Sequence, residues 1–192
     1  MRINRVIERT RAEGPGIRLC IWVQGCRHGC KGCYAKSTWD REKGIEVDSL
    51  SLVDMVRRNK DRIDGITFLG GEPFDQAREL LPIAKAAKNL GLNTIAFSGY
   101  VYEELLNEKE SHQLLRYIDL LIDGPYMEEK QDFSRPLVGS SNQRFIYLTD
   151  QIPKCEIENY RNQIELNIKT NGKLEINGMT DLDKLLEIIS IL

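Results

Sequence analysis

Three cysteines lie within eight residues of the sequence, in the stretch "CRHGCKGC" that runs from residue 26 to residue 33. The chain has only five cysteines, so these three are crowded relative to the rest of the sequence. Cysteine thiolates are ligands for zinc and for iron–sulfur clusters. An odd cysteine count without any sign of secretion disfavours a disulfide framework. The spacing of Cys26, Cys30 and Cys33 therefore predicts a metal centre.

The other two cysteines and one histidine bear on which metal centre fits. A structural zinc site needs four ligands, usually as two separated pairs, and this sequence offers no second pair. Cys20 lies on an apolar stretch, roughly 20 Å before Cys26 at ~3.3 Å per residue, so we expect it to be a buried small residue. Cys155 has no assigned role. His28 is open as a fourth ligand, although its place between two ligands favours a solvent-facing loop residue.

A cluster with four irons suits three cysteines better than zinc does. Three thiolates leave one iron of a [4Fe–4S] cluster without a protein ligand, and that iron is free to chelate a small molecule. The missing fourth cysteine then becomes the functional feature. The alternative from a different class is a zinc-bearing binding module without catalysis, which uses the same cysteines and His28.

A second chemically suggestive stretch is "GGEP", residues 70 to 73. Glycine has no side chain, so the backbone at Gly70 and Gly71 can come close to a zwitterionic ligand, while Glu72 can meet an ammonium group. A plain strand-to-helix turn is the alternative interpretation of the same residues. Together with the cysteines, the stretch favours a ligand site.

The composition disfavours several classes of function. The chain has 192 residues, which suits one domain, with 41% hydrophobic residues, 29% charged residues and a net charge of −2. Acidic and basic residues are mixed, which disfavours binding to nucleic acid or to an anionic membrane. The N-terminus lacks the apolar core of a signal peptide, and no apolar run approaches the ~20 residues that span a bilayer. We therefore expect a cytoplasmic protein.

The elements that must position these motifs alternate between strands and helices. Apolar, β-prone stretches alternate with amphipathic helical patterns over residues 17 to 126, which predicts an α/β fold of mostly parallel strands, open or curled into a partial (β/α) barrel. Within the helical pattern at 75–91, Gly91 suits the residue just past a helix end, and Pro82 predicts a kink or a delayed start.

Polar residues collect where the predicted strands end. The cysteine loop follows the first strand, and the turn at 70–72 follows the second. Residues 98–100 follow the third, and Asp123 ends the fourth. Ligands of parallel α/β sheets gather at the carboxyl ends of the strands, so we expect these residues to form one site.

The C-terminal part has a different pattern. In "IELNIKTNGKLEING", residues 164 to 178, apolar residues alternate on both sides of Asn171-Gly172, which predicts a hairpin with a two-residue type I′ turn. We divide the chain into a core at 1–148 and an extension at 149–192 that packs on the same domain. The last segment follows a Thr180 cap with helical spacing and places on one face Leu182, Leu185, Leu186 and Ile189.

The spacing Cys26-x3-Cys30-x2-Cys33 resembles the signature of the radical S-adenosylmethionine (SAM) superfamily. The resemblance implies a [4Fe–4S] cluster whose open iron binds the amino and carboxylate groups of SAM. It also implies reductive cleavage of a sulfur–carbon bond, which releases a 5′-deoxyadenosyl radical. In that superfamily the stretch that matches Gly70 to Pro73 binds the methionyl amino group.

Five stretches resemble, in the same order, the activating enzymes of the oxygen-independent, class III ribonucleotide reductases. The cysteine loop and "GSSNQR" are the specific ones. The resemblance implies a small activase that takes a hydrogen atom from a backbone glycine of a large partner enzyme, with an external reductant such as flavodoxin or ferredoxin. The stretches are "GPGIR" at 14–18, "GCRHGCKGCYAKSTW" at 25–39, "GGEP" at 70–73, "SGYVYEEL" at 98–105 and "LIDGPY...GSSNQR" ending at Arg144.

The motifs and strand ends together give the candidate site residues. Asp123 is either a contact for SAM or a cation, or a helix cap or turn residue. Arg144 engages a carboxylate of SAM or the partner, or forms a surface ion pair. Trp39, Tyr100 and Tyr126 are pocket walls or core residues. The predicted cluster ligands are Cys26, Cys30 and Cys33, and the candidate cofactor-binding residues are Gly32, Tyr34, Gly70, Gly71, Glu72, Pro73, Ser98 and Asp123.

Two departures from the wider pattern bear on the partner. Radical SAM loops commonly place an aromatic residue just before the third cysteine, but here Gly32 holds that position and Tyr34 follows, as in the reductase activases. The extension from about residue 149 goes beyond the compact form of that family. Another glycyl-radical activase, or a small peptide-modifying radical SAM enzyme, is therefore the alternative enzyme.

Overall fold

The computed structural model describes residues 1–168, 170–172, 174–180, 186–187 and 190. Within these residues the main feature is a seven-stranded sheet. Its strands are β1 (Arg2–Thr10), β2 (Arg18–Val23), β3 (Ile45–Glu46), β4 (Gly65–Gly70), β5 (Asn93–Phe97), β6 (Leu120–Asp123) and β7 (Arg144–Tyr147). Their order across the sheet is β3-β1-β2-β4-β5-β6-β7.

The strands β2, β4, β5 and β6 are parallel neighbours, while β1, β3 and β7 are antiparallel additions at the two sides. This is the mixed α/β fold with a mostly parallel central sheet that the alternating pattern predicts. The α-helices are α1 (Ser49–Asn59), α2 (Ala77–Asn89), α3 (Tyr102–Asn107), α4 (Lys109–Leu115) and α5 (Lys154–Asn159).

The helix α2 shows how local sequence sets an element. Its predicted apolar face is buried. Gly91, at φ +76°, follows its end. The N–H groups of Gly91 and Leu92 donate to the Lys88 and Ala87 carbonyls at 3.1 and 3.0 Å, which is a Schellman closure. The prediction for Gly91 is thus confirmed. The helix runs through Pro82, so this proline does not delay its start, which follows a 3₁₀ turn instead.

The parallel register brings the strand ends together. Val23 pairs with Gly70, and Phe97 pairs with Ile122, so β2, β4, β5 and β6 finish at the same edge of the sheet. One sheet face packs against the helices through a large apolar core. The other face carries smaller apolar groups beneath the connecting segments. The residues that follow the four strands therefore share one edge.

The sequence pattern does not predict β1. Register shifts between Ile3 and Arg5 and between Ile7 and Thr10 interrupt the pairing of β1 with β2. Each shift moves the following side chains to the other face, so the alternation of apolar and polar residues that identifies a strand is lost.

The hairpin strands β8 (Ile164–Ile168) and β9 (Leu174–Gly178) pair antiparallel outside the main sheet. Ile168 pairs with Leu174, which centres the turn on Asn171. A two-residue turn would be centred between Asn171 and Gly172, so the predicted type I′ turn is wrong. Gly172, at φ +78°, instead fits the left-handed position of a longer loop. Of the predicted terminal helical face, Leu182, Leu185 and Ile189 lie outside the described residues, and Leu186 is exposed.

No helix within the described ranges is both long enough and apolar enough to cross a membrane.

Candidate active site at the carboxyl ends of the strands

The cysteine loop leaves the sheet at the end of β2 and is anchored at both ends. The Gly25 N–H donates to the Thr38 carbonyl at 2.7 Å. The fully buried Gln24 donates its side-chain amide to the carbonyls of Ser37 and Asp40 at 2.9 and 2.7 Å. These bonds tie residue 24 to the far side of the loop, so the cysteines between them lie on a closed segment.

The loop cysteines are unpaired and partly exposed. Burial raises the pKa of Cys26, and the N–H groups of His28 and Gly29 act in the opposite direction. Burial also raises the pKa of Cys30, and the Tyr126 N–H opposes it. An N–H group that points at a sulfur stabilises the thiolate, which is the form that binds a metal. Burial nevertheless outweighs these N–H groups, so the pKa of both thiols is raised overall.

The remaining cysteines stand apart. Cys20 is fully buried in β2, as predicted for a small core residue, and burial raises the pKa of its thiol. Cys155 is exposed on α5. Among the residues that the structure describes, no three His, Cys, Asp or Glu side chains converge closely enough to hold one metal ion. A single zinc ion thus has no preformed cage there, whereas a four-iron cluster spreads its thiolate ligands over separate irons.

The glycine pair after β4 packs directly on the start of the cysteine loop. The Gly71 N–H donates to the Val23 carbonyl at 2.9 Å, and the Glu72 N–H donates to the Gly25 carbonyl at 2.8 Å. A Cβ atom on Gly70 would lie 2.8 Å from the Val23 backbone, and one on Gly71 would overlap the Gly25 carbonyl oxygen. Side-chain-free residues are required here because the two loops meet backbone to backbone.

Glu72 is buried, with 1% of its surface exposed, and joins the ends of β4 and β5. Its Oε1 atom accepts hydrogen bonds from the Phe74 N–H at 2.9 Å and the Ser98 hydroxyl at 3.0 Å. Its Oε2 atom accepts one from the Gly99 N–H at 2.7 Å. These donors hold the carboxylate in one orientation. That Glu72 also meets the amino group of a ligand stays a prediction.

His28 points inward, and the favoured solvent-facing interpretation is wrong. Its side chain is only 18% exposed, and its Nε2 atom lies 3.3 Å from Glu72 Oε2. The ring packs edge-on against Tyr100, with centroids 4.4 Å apart, and fills the space where Gly99 would carry a Cβ atom. The Glu72 carboxylate raises the pKa of His28, with burial opposing. Loop sequence gives no sign of this because the contacts come from neighbouring strand ends.

Ser98 and Tyr100 extend the same network. The Ser98 Oγ atom accepts a hydrogen bond from the Tyr100 N–H at 3.1 Å. The Tyr100 hydroxyl donates to Asp75 at 2.9 Å. Burial and the Asp75 carboxylate raise the pKa of Tyr100 to about 12, so this phenol keeps its proton at neutral pH. The predicted grouping of the second and third strand ends is therefore present as hydrogen bonds.

Asp123, at the end of β6, is fully buried and held by the protein. Its Oδ2 atom accepts a hydrogen bond from the Tyr102 N–H at 2.7 Å, at the start of α3. Arg144 donates to Oδ1 at 2.9 Å and to Oδ2 at 2.5 Å, and also contacts Glu103. The two carboxylates raise the pKa of Arg144. These contacts match the helix-cap and ion-pair alternatives, and a ligand contact by Asp123 stays a prediction.

The candidate aromatic residues lie around the cysteine loop. Tyr34 is 59% exposed, and its ring makes edge contacts with Tyr126 and Phe133 at 6.1 and 6.0 Å. Gly32 has φ +75°, and a Cβ atom there would lie 2.7 Å from Glu128 Oε1. The Glu128 carboxylate is the end of a flexible side chain and can move, but the positive φ disfavours any residue with a Cβ atom, which gives the glycine at this position a structural reason.

Two cavities lie away from these strand ends. One of about 640 Å³ is lined by Asp64 and Asn93 at the amino ends of the strands, together with Cys155. Another of about 900 Å³ lies beside β7 and includes Phe145. Neither is lined by the cysteine loop or by residues 70–72. The chemistry of the side chains, and not cavity size, therefore locates the candidate site.

Comparison with known proteins agrees with this site. Residues 12–146 match the family model described as a 4Fe-4S single cluster domain. That range contains the cysteine loop and all four parallel strands. The crystal structure of QueE from Escherichia coli is similar over 51% of this chain and 52% of that chain, with a TM-score of 0.43 and 23% identity.

Proteins similar in sequence identify the family of this chain. The anaerobic ribonucleoside-triphosphate reductase-activating protein of Haemophilus influenzae is 34% identical over 138 residues, which cover 68% of this chain and 88% of the relative. The protein of the same name from Enterobacteria phage T4 is 32% identical over 163 residues, or 80% of this chain and 99% of the relative. The chain therefore belongs to the family of anaerobic ribonucleoside-triphosphate reductase-activating proteins.

Proposed function

We propose that this protein is a radical SAM activase that installs a glycyl radical on an anaerobic ribonucleotide reductase. One observation carries the proposal. Three unpaired thiols on one loop lie beside a Gly-Gly-Glu turn at the ends of two neighbouring parallel strands, in a chain of the activating-protein family.

The residues present fit a [4Fe–4S] cluster with SAM. Cys26, Cys30 and Cys33 supply thiolates and leave one iron for a non-protein ligand. The glycine turn presents backbone without side chains directly beside the loop. The His28 Nε2 atom is buried there without a well-aligned hydrogen bond, so the site contains an unsatisfied polar atom.

A [4Fe–4S] cluster held by Cys26, Cys30 and Cys33 and reduced by an external donor would supply the electron for cleavage of a sulfur–carbon bond of SAM, and the resulting 5′-deoxyadenosyl radical would take a hydrogen atom from a glycine Cα. The protein holds and shields this chemistry. The cysteines bind the irons, and Glu72 is placed to attract the methionyl amino group. His28 and Tyr100 pack together over the Glu72 carboxylate and exclude water from that side.

We propose further that the sheet curves into the partial (β/α) barrel of this superfamily, with residues 1–148 as its core and 149–192 as an extension packed on it. The extension contacts the core at the amino-end side of the sheet. The Thr10 hydroxyl donates to Glu165 at 2.5 Å, and Asn177 donates to Thr10 at 2.9 Å. The Tyr160 hydroxyl donates to the Arg11 carbonyl at 2.7 Å. The contacts of Tyr160, Glu165 and Asn177 thus lie on the side of the sheet opposite to the cysteine loop.

The surroundings of the loop suit a protein electron donor. Residues 25–43 contain five basic and two acidic side chains in a chain whose net charge is −2. Lys31 is 90% exposed and Arg27 is 84% exposed. Complementary charge steers the approach of an acidic partner. This supports an external reductant such as flavodoxin or ferredoxin.

Anaerobic reconstitution with iron and sulfide tests the proposal. The wild-type protein is expected to bind about four irons per chain and, with dithionite and SAM, to yield 5′-deoxyadenosine. Cys30→Ala should lose the cluster absorbance and the product. Cys155→Ala is the matched control, because it removes an exposed thiol far from the loop, and it should behave as wild type. One bound zinc per wild-type chain and no product would support the binding-module alternative and overturn the proposal.

A second experiment identifies the partner. The reconstituted protein, SAM and an anaerobic ribonucleotide reductase should produce the doublet EPR signal of a glycyl radical on the reductase. Production of 5′-deoxyadenosine without that signal would keep the radical SAM chemistry but reject the reductase as the target, which favours another glycyl-radical enzyme or a peptide.

A further inference from the structure

The Glu72 carboxylate is surrounded by groups of the protein at every acceptor position. An ionised carboxylate offers about four lone-pair positions. Three of them accept hydrogen bonds from the Phe74 N–H, the Ser98 hydroxyl and the Gly99 N–H, at 2.9, 3.0 and 2.7 Å. The remaining position is on Oε2, and the His28 Nε2 atom lies 3.3 Å from that oxygen. A ligand that bonds to this carboxylate therefore has to replace one of these four groups.

His28 is the group that a ligand can replace most easily. The Phe74 and Gly99 donors are backbone N–H groups in the turns that follow β4 and β5, and the Ser98 oxygen is itself fixed by the Tyr100 N–H at 3.1 Å. The His28 Nε2 atom belongs to a side chain of the cysteine loop, and it is not aligned with the carboxylate as a hydrogen bond. Giving up this contact costs least, because no well-formed hydrogen bond is lost.

The His28 ring also covers the carboxylate. Only 1% of Glu72 is exposed, and the His28 side chain against it is 18% exposed. The ring packs edge-on against Tyr100, with centroids 4.4 Å apart, and fills the space that a Cβ atom on Gly99 would take. A Cβ atom on the next residue of the loop, Gly29, would have no heavy atom within 4 Å, so the loop borders open space here. Outward rotation of this one side chain would therefore uncover Glu72.

We propose that His28 is a specificity-determining residue that covers Glu72 and gives way only to a ligand with an ammonium group. An ammonium group has three donors and a positive charge, so it compensates a buried carboxylate better than a misaligned imidazole does. A ligand without a cationic donor would leave an acceptor position of the buried carboxylate unfilled, which is unfavourable. The inference rests on the proposed function, because SAM must bind beside the cysteine loop with its amino group at Glu72.

Exchange of the histidine Cε1 hydrogen in D₂O, measured by mass spectrometry on the reconstituted protein without reductant, tests the inference. The chain has two histidines, and the exposed His112 on α4 is the internal control. Saturating SAM should speed exchange at His28 severalfold, because the ring turns toward solvent, and should leave His112 unchanged. 5′-Deoxyadenosine, which has no amino group of methionine, should change neither rate. A His28 rate that SAM leaves unchanged or lowers, or that 5′-deoxyadenosine raises equally, would overturn the inference.

Two variants check the same contact from its two sides. A Cβ atom on Gly99 would lie 2.5 Å from the His28 Cδ2 atom, so Gly99→Ala forces the ring to move. Without SAM, His28 should exchange faster in this variant than in wild type, and an equal rate would contradict the covering role. His28→Ala removes the group that competes for Glu72, so SAM should bind about two- to tenfold more tightly in equilibrium dialysis. His112→Ala is the matched control and should keep the wild-type affinity.

The outcomes separate this inference from the proposed function. A wild-type protein that binds neither cluster nor SAM would overturn the proposed function. Binding of SAM to the cluster-loaded protein with an unchanged His28 rate would overturn the role of His28 alone, and so would an unchanged or weaker SAM affinity of His28→Ala at full iron content. If His28→Ala loads no iron, the exchange measurement on the wild-type protein decides, because it needs no variant.

Discussion

The hydrogen-bond pairing of buried polar groups differs between the two ends of the parallel strands. At the amino ends, Asp119 is fully buried and fully paired. It accepts from Lys88 Nζ at 2.6 Å and the Thr94 N–H at 2.8 Å, and it also contacts the Thr149 hydroxyl. The buried Arg18 donates to the carbonyls of Pro15 and Ile66, as well as to side chains of its neighbours. These charges connect strands to each other.

At the carboxyl ends, Glu72 and Asp123 are also buried and hydrogen-bonded, but other polar groups lack partners. Within the described residues, Asn142 Oδ1 is buried without a hydrogen-bond partner, His28 Nε2 has only its 3.3 Å contact with Glu72 Oε2, and the loop thiols are unpaired. At Gly70 and Gly71 the backbones of two loops come into direct contact, in addition to the Asp123–Arg144 ion pair. We therefore expect the amino ends to contribute more to stability, and the carboxyl ends to contain the proposed ligand site.

The largest effect on stability should come from the paired end. Asp119→Ala leaves Lys88 and the Thr94 N–H without their acceptor, so we expect the free energy of unfolding to fall by about 3–5 kcal/mol. Urea denaturation of the cluster-free protein measures this. Asp54→Ala, at an exposed carboxylate, is the control. A decrease in the free energy of unfolding of less than about 1 kcal/mol would show that Asp119 contributes no more to stability than a surface carboxylate does.

A buried acid near the amino ends should make stability depend on pH. Burial raises the pKa of Glu13 from 4.5 to about 8, with Arg5 and the Gly178 N–H opposing. The folded state therefore keeps this proton to higher pH than the unfolded state does. The free energy of unfolding should fall as pH rises from 4.5 to about 8, by at most about 1.4 kcal/mol per pH unit.

Glu13→Gln removes this proton equilibrium. Urea denaturation at several pH values between 5 and 8 should show the stability of wild type falling relative to that of Glu13→Gln as pH rises. Glu110→Gln, at an exposed position, should track wild type throughout. Parallel curves for wild type and Glu13→Gln would show that Glu13 titrates normally.

At the proposed ligand site, Glu72→Gln should weaken SAM binding about tenfold, which corresponds to about 1.4 kcal/mol, because an amide attracts an ammonium group less than a carboxylate does. Iron content should be unchanged, since Glu72 is not proposed to bind iron. Equilibrium dialysis of SAM with the reconstituted protein measures the affinity. Ser98→Ala, which removes an uncharged donor to Glu72, is the comparison and should have a smaller effect. Loss of iron in Glu72→Gln would contradict the assigned role.

The smallest effect should come from an exposed ion pair of similar geometry. The Nη1 atom of Arg57 lies 3.0 Å from Oδ1 of Asp54 on α1, and the two side chains are 63% and 58% exposed. Arg57→Ala should lower the free energy of unfolding by only about 0.3–0.5 kcal/mol, because water screens the pair. A cost in denaturation comparable to that of Asp119→Ala would show that burial does not set the difference between the pairs.

Local sequence was sufficient for features that depend on neighbouring residues. The periodicity of α2, the closure at Gly91 and the strand ends at Gly70 and Asp123 follow from side-chain pattern and backbone freedom, and all are present. Features that depend on distant pairing were missed or wrong. The strand β1 has register shifts that hide its alternation, and the turn after β8 depends on pairing between its two strands.

The sequence by itself determined the candidate chemical groups: three thiols at fixed spacing, and glycines before a carboxylate. Only the tertiary structure decided what surrounds them. His28 turned inward because Glu72 and Tyr100 come from adjacent strand ends, and Asn142 reaches the Pro125 carbonyl across 17 residues of chain. Spacing is a property of the covalent chain, whereas the direction of a side chain or peptide depends on partners that only folding brings within hydrogen-bonding distance.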